Sequence, residues 1–330
     1  MLIRFTVCFA MLLGATSHVT LAEESSDPGS VTQETVWVTS IAKLGDGDDF
    51  VAATASGLLF HPSKVVKFSA SDPSERMPLY EHPAAVWCVD GSADAKTVVS
   101  VDYRGNLIVY DVETATHRMH ELAMERWCQA MMLSPDGSAV IAGNEAGKVM
   151  IWDLAEAKVK HEASIGEQSI TDMVLSPDQT MLVVTDASGH AHVLSWPSLE
   201  PKAKIKFGEE AAWSVAFGRD GQHVYVGSGD RQLYQAELSD GAKPTVFGKG
   251  DDWLTNLAVS DSGAIVAGQP NGKVHFFSAT STDTSPASSL ASPSGVWAVH
   301  WNGENELLVG TRKNGVMQIG QSWNWIPADE

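Results

Sequence analysis

Tryptophan recurs through this chain at intervals of 40 to 50 residues, and that period restricts its fold more than any other feature. Trp37, Trp87, Trp127, Trp213, Trp253 and Trp297 each open a short strand-like stretch, and Ile170 stands in the corresponding place in SITDMVLSPD. The successive gaps of 50, 40, 43, 43, 40 and 44 residues divide the chain into seven units, the first of them longer. Self-similarity at such a period means one supersecondary unit repeated, each copy unable to bury both of its faces without a neighbour.

The order within a unit is clearest in the third, RWCQAMMLSPDGSAVIAGNEAGKVMIWDLAEAKV. A strand is predicted over Trp127 to Leu133, a turn at Ser134-Pro135-Asp136-Gly137, and a second strand over Ala139 to Ala142. A turn containing Gly147 then leads to a third strand over Lys148 to Leu154, and a fourth, more polar strand precedes the next unit. Gly, Pro, Asn and Asp bound these segments, as turns require. The first turn recurs as SPDQ at 176–179, GRDG at 218–221 and SDSG at 260–263. The second carries Gly57, Gly105, Gly147, Gly189, Gly272 and Gly315, with Gly229 nearby in the fifth unit. No segment sustains a helical period. The expectation is an all-β chain, a seven-bladed β-propeller of four-stranded antiparallel blades, because radial stacking lets each sheet cover its neighbour and leaves few open edges.

From about residue 36 to 326 the chain resembles the WD40 repeat family. The residues that carry the resemblance are EHPAAVW at 81–87, SPDG at 134–137, Ile151-Trp152-Asp153 and its weaker echo Val109-Tyr110-Asp111. The family's structural Asp before the turn glycine is Arg104 in the second unit and Ala146 in the third, and its histidine is matched by His82 alone. The resemblance therefore implies a divergent propeller that relies less on the family's Asp–His–Ser–Trp network and more on apolar packing between sheets. It also implies that the first strand of each blade is innermost. The six tryptophans would then ring one mouth of the channel, beside the loops that join second and third strands.

Residues 1–22 read as a secretory signal peptide: Arg4, the apolar run Phe5 to Leu13, then GATSHVTLA with small residues at Thr20 and Ala22. The run is too short to span a bilayer as a helix, and no small pair precedes Cys8 as a lipid anchor would need. The chain is thus divided into this signal, a polar segment at 23–34 and a propeller at 35–330, with export to a periplasm or the exterior after cleavage near Ala22. Residues 279–294 are low in complexity and read as a loop around the outer strand of the sixth unit. The last blade closes with SWNWIP after a strand over Val316 to Ile319, or alternatively with residues near 29–34.

With 41 acidic and 22 basic residues the net charge is −19, which opposes nucleic acid and anionic membrane surfaces and favours solubility. Outside the signal only Cys88 and Cys128 remain, too few for a disulfide framework. Both follow a Trp in neighbouring units, so a bridge is one possibility and two buried thiols the expected state.

The tryptophan ring is the candidate binding site, joined by loop residues Tyr103, Arg104, Arg231 and Arg312. Aromatic and Arg anchors dominate binding hot spots, and a basic spot over an aromatic ring suits an acidic peptide, a carboxylate or a polar saccharide. The competing reading is that the indoles are wedges between blades and the arginines merely solvate the surface. His190 and His192 share one strand face without a third ligand, and Asp46, Asp48 and Asp49 lack EF-hand spacing, so no metal is expected. GxSxG, HExxH, P-loop and CxxCH patterns are absent from the sequence, and no cofactor is expected.

These features point to a monomeric, non-catalytic, exported scaffold that binds a protein or peptide at the Trp-rich mouth. One alternative is a propeller hydrolase or lactonase acting on a sugar-derived substrate, for which Asp90, Asp172 and His300 are the first-strand candidates. Another is a glycan or small-molecule binder that stacks its ligand on the indoles.

Overall fold

A computed structural model describes residues 36–278, 283–303 and 306–319. The signal peptide, the 23–34 segment and the SWNWIP strand fall outside them, as does any outermost strand of the last blade. Every regular element among the described residues is a strand, and the strands form seven antiparallel sheets, each built from consecutive strands. Six sheets show four strands and the seventh shows three.

The first strands are β1 (Trp37–Lys43), β5 (Val86–Gly91), β9 (Cys128–Leu133), β13 (Ile170–Leu175), β17 (Ala212–Phe217), β21 (Asn256–Val259) and β25 (Val296–Trp301). Each lies against the next, and β25 returns to β1, so the sheets close a ring around a hub of first strands. Val36 reinforces the closure, its carbonyl accepting a hydrogen bond from the Gly315 N–H at 3.1 Å. Polarity rises outward. The second strand β6 (Thr97–Asp102) is almost wholly buried, whereas the fourth strands β8 (Thr116–His120) and β12 (Lys158–Ser164) are largely exposed.

The strand period of two explains where the core lies. On β2 (Asp49–Ala55), Phe50 and Ala52 pack with the seventh sheet while Val51 and Ala53 pack with the second. The same alternation yields seven apolar clusters, one between every pair of adjacent sheets, and an eighth at the mouth.

Strand pairing corrects the alignment of the repeats. Val38, Val86, Cys128, Ile170, Ala212 and Val296 each sit opposite the residue that opens the loop between second and third strands. Leu254 completes the set, since its carbonyl accepts from Ser214 as that of Cys128 does from Cys88. The spacing of these seven residues is 48 and then 42 five times over. Ile170 is therefore equivalent to Val86, and Thr171, rather than Ile170, occupies the place of Trp87.

This position forms a graded joint with the next second strand. Gly143, Gly227, Gly268 and Gly310 lie against Ile170, Leu254, Val296 and Val38 of the following sheet. A Cβ at Gly268 would stand 2.6 Å from Val296 Cγ1, and one at Gly310 2.7 Å from Val38 Cγ1. Where the facing residue is smaller the second strand carries more: Val101 shares a cluster with Cys128, and buried Thr185 precedes a joint filled by Ala212. Interiors pack at near-crystalline density, so the two sides must vary reciprocally.

The loop between second and third strands is fixed by its first residue. Asp102 Oδ1 accepts from the Arg104 and Asn106 N–H groups at 2.9 and 3.0 Å, and Asn144 and Asp186 act likewise. The structural acid thus stands two residues before Arg104, where the resemblance did not place it. In the fifth sheet the left-handed position of this loop is taken by Arg231 itself, at φ 69°, not by Gly229.

Candidate functional site

The loops between second and third strands lie on the face where the first strands begin. Tyr103 N–H donates to Ala85 O at 2.8 Å, Glu145 N–H to Trp127 O at 2.9 Å and Arg312 N–H to Gly295 O at 2.8 Å. Every residue foreseen for the binding site is on this face, but the structure divides them into two groups.

Trp37, Trp127 and Trp253 precede the 42-residue repeat position, whereas Trp87, Trp213 and Trp297 follow it at a β-bulge. The two registers alternate between neighbouring blades, so indoles interleave edge to face. Trp37 meets Trp87 at 5.5 Å and Trp297 at 5.1 Å, and Trp87 meets Trp127 at 5.1 Å. Tyr103 extends the array from Trp127 at 5.0 Å, and Phe60 extends it from Tyr103 at 5.5 Å. Six rings therefore run unbroken over blades seven, one, two and three. The ring expected from six tryptophans is interrupted twice: at the fourth blade, which has Ser169 and Thr171 at the two tryptophan positions, and between the sixth and seventh, where no ring contact among the described residues joins Trp253 to Trp297. Trp213 and Trp253 form a separate stacked pair at 5.9 Å. Arg231 belongs with that pair, its carbonyl accepting from Gly250 at the approach to Trp253.

The indoles divide between buried and surface positions. Trp37 and Trp127 are only 6% and 9% exposed and act as wedges. Trp87 and Trp297 are half-buried and reach the surface. The indole N–H groups of Trp37, Trp127 and Trp297 are buried without a protein acceptor.

Phe60 and Leu58 were not foreseen. From Ala53 to Val65 the first blade takes twelve residues to turn between second and third strands. The same span is six in every other blade, as in Val101 to Leu107 or Gly143 to Val149. The surplus is Leu58–Ser63, because Thr54, Gly57 and Lys64 still close the standard loop, Lys64 N–H donating to Thr54 Oγ1 at 3.1 Å. This insertion accounts for the first spacing of 48 rather than 42. It sets Leu58 and Phe60 on the surface, 57% and 62% exposed, with the Phe60 ring at the end of the aromatic array. The signal was present in the sequence as the long first gap followed by an apolar run, LLF, in what must be a loop.

Two cations flank the array. The Arg104 guanidinium lies 5.6 Å from the Phe60 ring centre and that of Arg312 lies 5.6 Å from Trp37. Neither forms an ion pair among the described residues.

Deeper in the hub, Asp90 Oδ1 accepts from Gly91 N–H and Oδ2 from Leu133 N–H of the next blade, both at 2.8 Å. Asp172 repeats the pattern with Met173 and with Val215 of the fifth blade, again at 2.8 Å. Burial pushes the Asp90 carboxyl up to about 6 and that of Asp172 to about 7, against these hydrogen bonds. Cys88 and Cys128 are free thiols. Their registers differ by two residues, so the Cys88 thiol meets the Cys128 carbonyl oxygen at 3.7 Å instead of its sulfur. Burial raises both thiols, and the Asp172 and Asp90 carboxylates raise Cys88 further, so both are protonated.

Other polar groups hold the blades. His82 Nε2 and Ser100 Oγ are 2.7 Å apart, and His82 Nδ1 is 3.4 Å from Asp102 Oδ2. Although ordered as a hydrolytic triad, all three residues are sealed from solvent. His192 pairs with Asp186 at 2.8 Å and His190 with Ser188 at 2.9 Å, which gives each imidazole a protein partner. Asp48 takes hydrogen bonds from Ser69 and Ser71, as in a solvated turn. His300 Nδ1 lies 2.7 Å from the Trp301 carbonyl oxygen, and its ring stands edge-on to Phe50 at 5.3 Å. Among the described residues no group of three His, Cys, Asp or Glu is placed to hold a metal ion, and no helix is long and apolar enough to cross a membrane.

No protein-family model matches this chain, and no curated protein matches it either.

Proposed function

We propose that this chain is an exported, non-catalytic interaction module, a divergent WD40-like propeller that binds a protein partner across the six-ring mouth. One observation carries the reading. Six otherwise uniform loops contrast with a first-blade loop enlarged by six residues, and those residues add Phe60 to the aromatic array and expose Leu58 on the same loop. Insertions in repeat proteins collect on the binding face, and large rigid aromatics with arginine supply most hot-spot energy. The preformed sheet scaffold keeps the ordering cost of binding low.

A channel hydrolase is less well supported, because both oxygens of Asp90 and of Asp172 already accept backbone N–H groups and suture adjacent blades. Sugar stacking requires open aromatic faces, which Phe60 and in part Trp87 and Trp297 offer, whereas Trp37 and Trp127 are buried wedges. The acidic N-terminal segment and the signal preceding it support export.

Affinity capture from the native host, with wild type and the double variant L58A/F60A compared by quantitative mass spectrometry, tests the reading. Both side chains are exposed, so the variant should unfold within ~0.5 kcal/mol of wild type. A partner enriched on wild type and reduced at least about tenfold on the variant is expected. Equal recovery on both, or enrichment on neither, would overturn the proposal.

A further inference from the structure

We infer that the mouth recognises an acidic peptide segment bearing a large apolar side chain, which packs on Leu58 and Phe60 while its carboxylates engage Arg104 and Arg312. The inference rests on the binding site proposed above and names the chemistry of its partner.

Of the seven arginines among the described residues only Arg126 forms an ion pair, so an unpaired guanidinium is not in itself distinctive. Arg104 and Arg312 are set apart by lying over aromatic rings, each 5.6 Å from a ring centre. A guanidinium 5.6 Å from a ring centre is attracted to the ring face and keeps N–H donors available to receive a carboxylate through two parallel hydrogen bonds. The ring contact also restrains the side chain in advance, so less rotamer entropy is lost when the anion arrives.

The apolar half of the requirement comes from the insertion. Leu58 and Phe60 are among the most exposed large hydrophobic residues of the described chain, and they stand two apart on one short loop. The Phe60 ring has Arg104 over its face and Tyr103 against it at 5.5 Å, so apolar surface and positive charge are adjacent. A neutral saccharide would leave both guanidinium groups unanswered. The net charge of −19 repels polyanions at long range, but beyond about 8 Å it is screened at physiological ionic strength, and the two arginines govern a short segment once seated.

Display of random twelve-residue peptides, selected on the purified protein and counter-selected on R104E/R312E, tests this directly. Enriched peptides should carry Asp or Glu within two positions of Leu, Phe or Trp. A synthetic copy of the leading peptide should lose at least about tenfold in affinity on R104E/R312E, and a smaller factor on R104K/R312K, when Kd is read by fluorescence anisotropy. Enriched peptides without acidic residues, or binding that is indifferent to the charge reversal, would overturn the acidic partner. If such peptides still failed on L58A/F60A, the site would stand and only its chemistry would fall. Peptides that bind wild type and L58A/F60A equally would remove the site itself, and no enrichment over an unrelated protein would remove a peptide partner.

Discussion

Replacing Gly143 with valine is expected to destabilise the fold by about 3 kcal/mol. Gly143 lies on the second strand of the third blade and faces Ile170 of the fourth, where a Cβ would stand 2.9 Å from Ile170 Cβ and 3.0 Å from its Cδ1. The joint is closed by backbone on one side and a fully buried side chain on the other, so no rotamer relieves the overlap. Ile170→Ala alone should also cost about 3 kcal/mol, through lost burial and the cavity left behind. In the double variant the new valine occupies the space that Ile170 vacates. Urea unfolding should show it about 2 kcal/mol more stable than the sum of the single losses implies. Additive losses would mean that the two residues do not meet across a blade interface.

The two hub carboxylates make stability depend on pH in an unusual sense. Carboxyls at about 6 for Asp90 and about 7 for Asp172 are raised above their unfolded values, so the folded state holds protons that the unfolded chain has released. Below pH 4 both states are protonated and the groups are neutral in effect. From pH 4 upward each group lowers stability by up to about 1.4 kcal/mol per pH unit, until it ionises in the folded protein. For Asp172 the ceiling is about 4 kcal/mol, reached near pH 7, and its partial exposure in the hub keeps the true value below that.

Four histidines act oppositely over part of this range. Burial lowers His120, His190, His275 and His300, so they add stability that is lost as pH falls below about 6.5. Comparison with Asp172→Asn cancels them. The variant should be no more stable than wild type at pH 4.5, because its amide can accept only one of the two backbone N–H groups. It should overtake wild type by 2 kcal/mol or more, to order of magnitude, at pH 7.5. Parallel curves would show that the Asp172 carboxylate is not desolvated.

How much of this was legible in the sequence follows from the same residues. The strand order and blade count were written in the tryptophan period and in SPDG-type turns, because turn chemistry and hydrophobic alternation are local. The register was not. Indoles on either side of the bulge serve the same mouth, so aligning on Trp gave irregular gaps, whereas the buried joint from Val38 to Val296 repeats every 42 residues after the first. Ile170 was accordingly placed one position out. The geometry of the proposed site was half legible: Trp37, Trp87, Trp127, Trp297, Tyr103, Arg104 and Arg312 lie together at one mouth. Trp213, Trp253 and Arg231 lie apart, beyond the gap at the fourth blade on one side and a second gap between Trp253 and Trp297 on the other. Phe60 and Leu58 escaped notice because an apolar triplet reads as strand until pairing shows that the strands beside it are already complete.

Excision of Leu58–Ser63 tests the binding surface most directly. The cut leaves Thr54-Ala55-Ser56-Gly57-Lys64-Val65, the same length as the loop from Asp102 to Leu107, so the first blade becomes like the other six. The shortened protein should keep its Tm within about 3 °C, and isothermal titration with the partner captured by wild type should show at least about tenfold weaker binding. Undiminished affinity in a normally folded, shortened protein would contradict a binding surface centred on this insertion and the rings beside it.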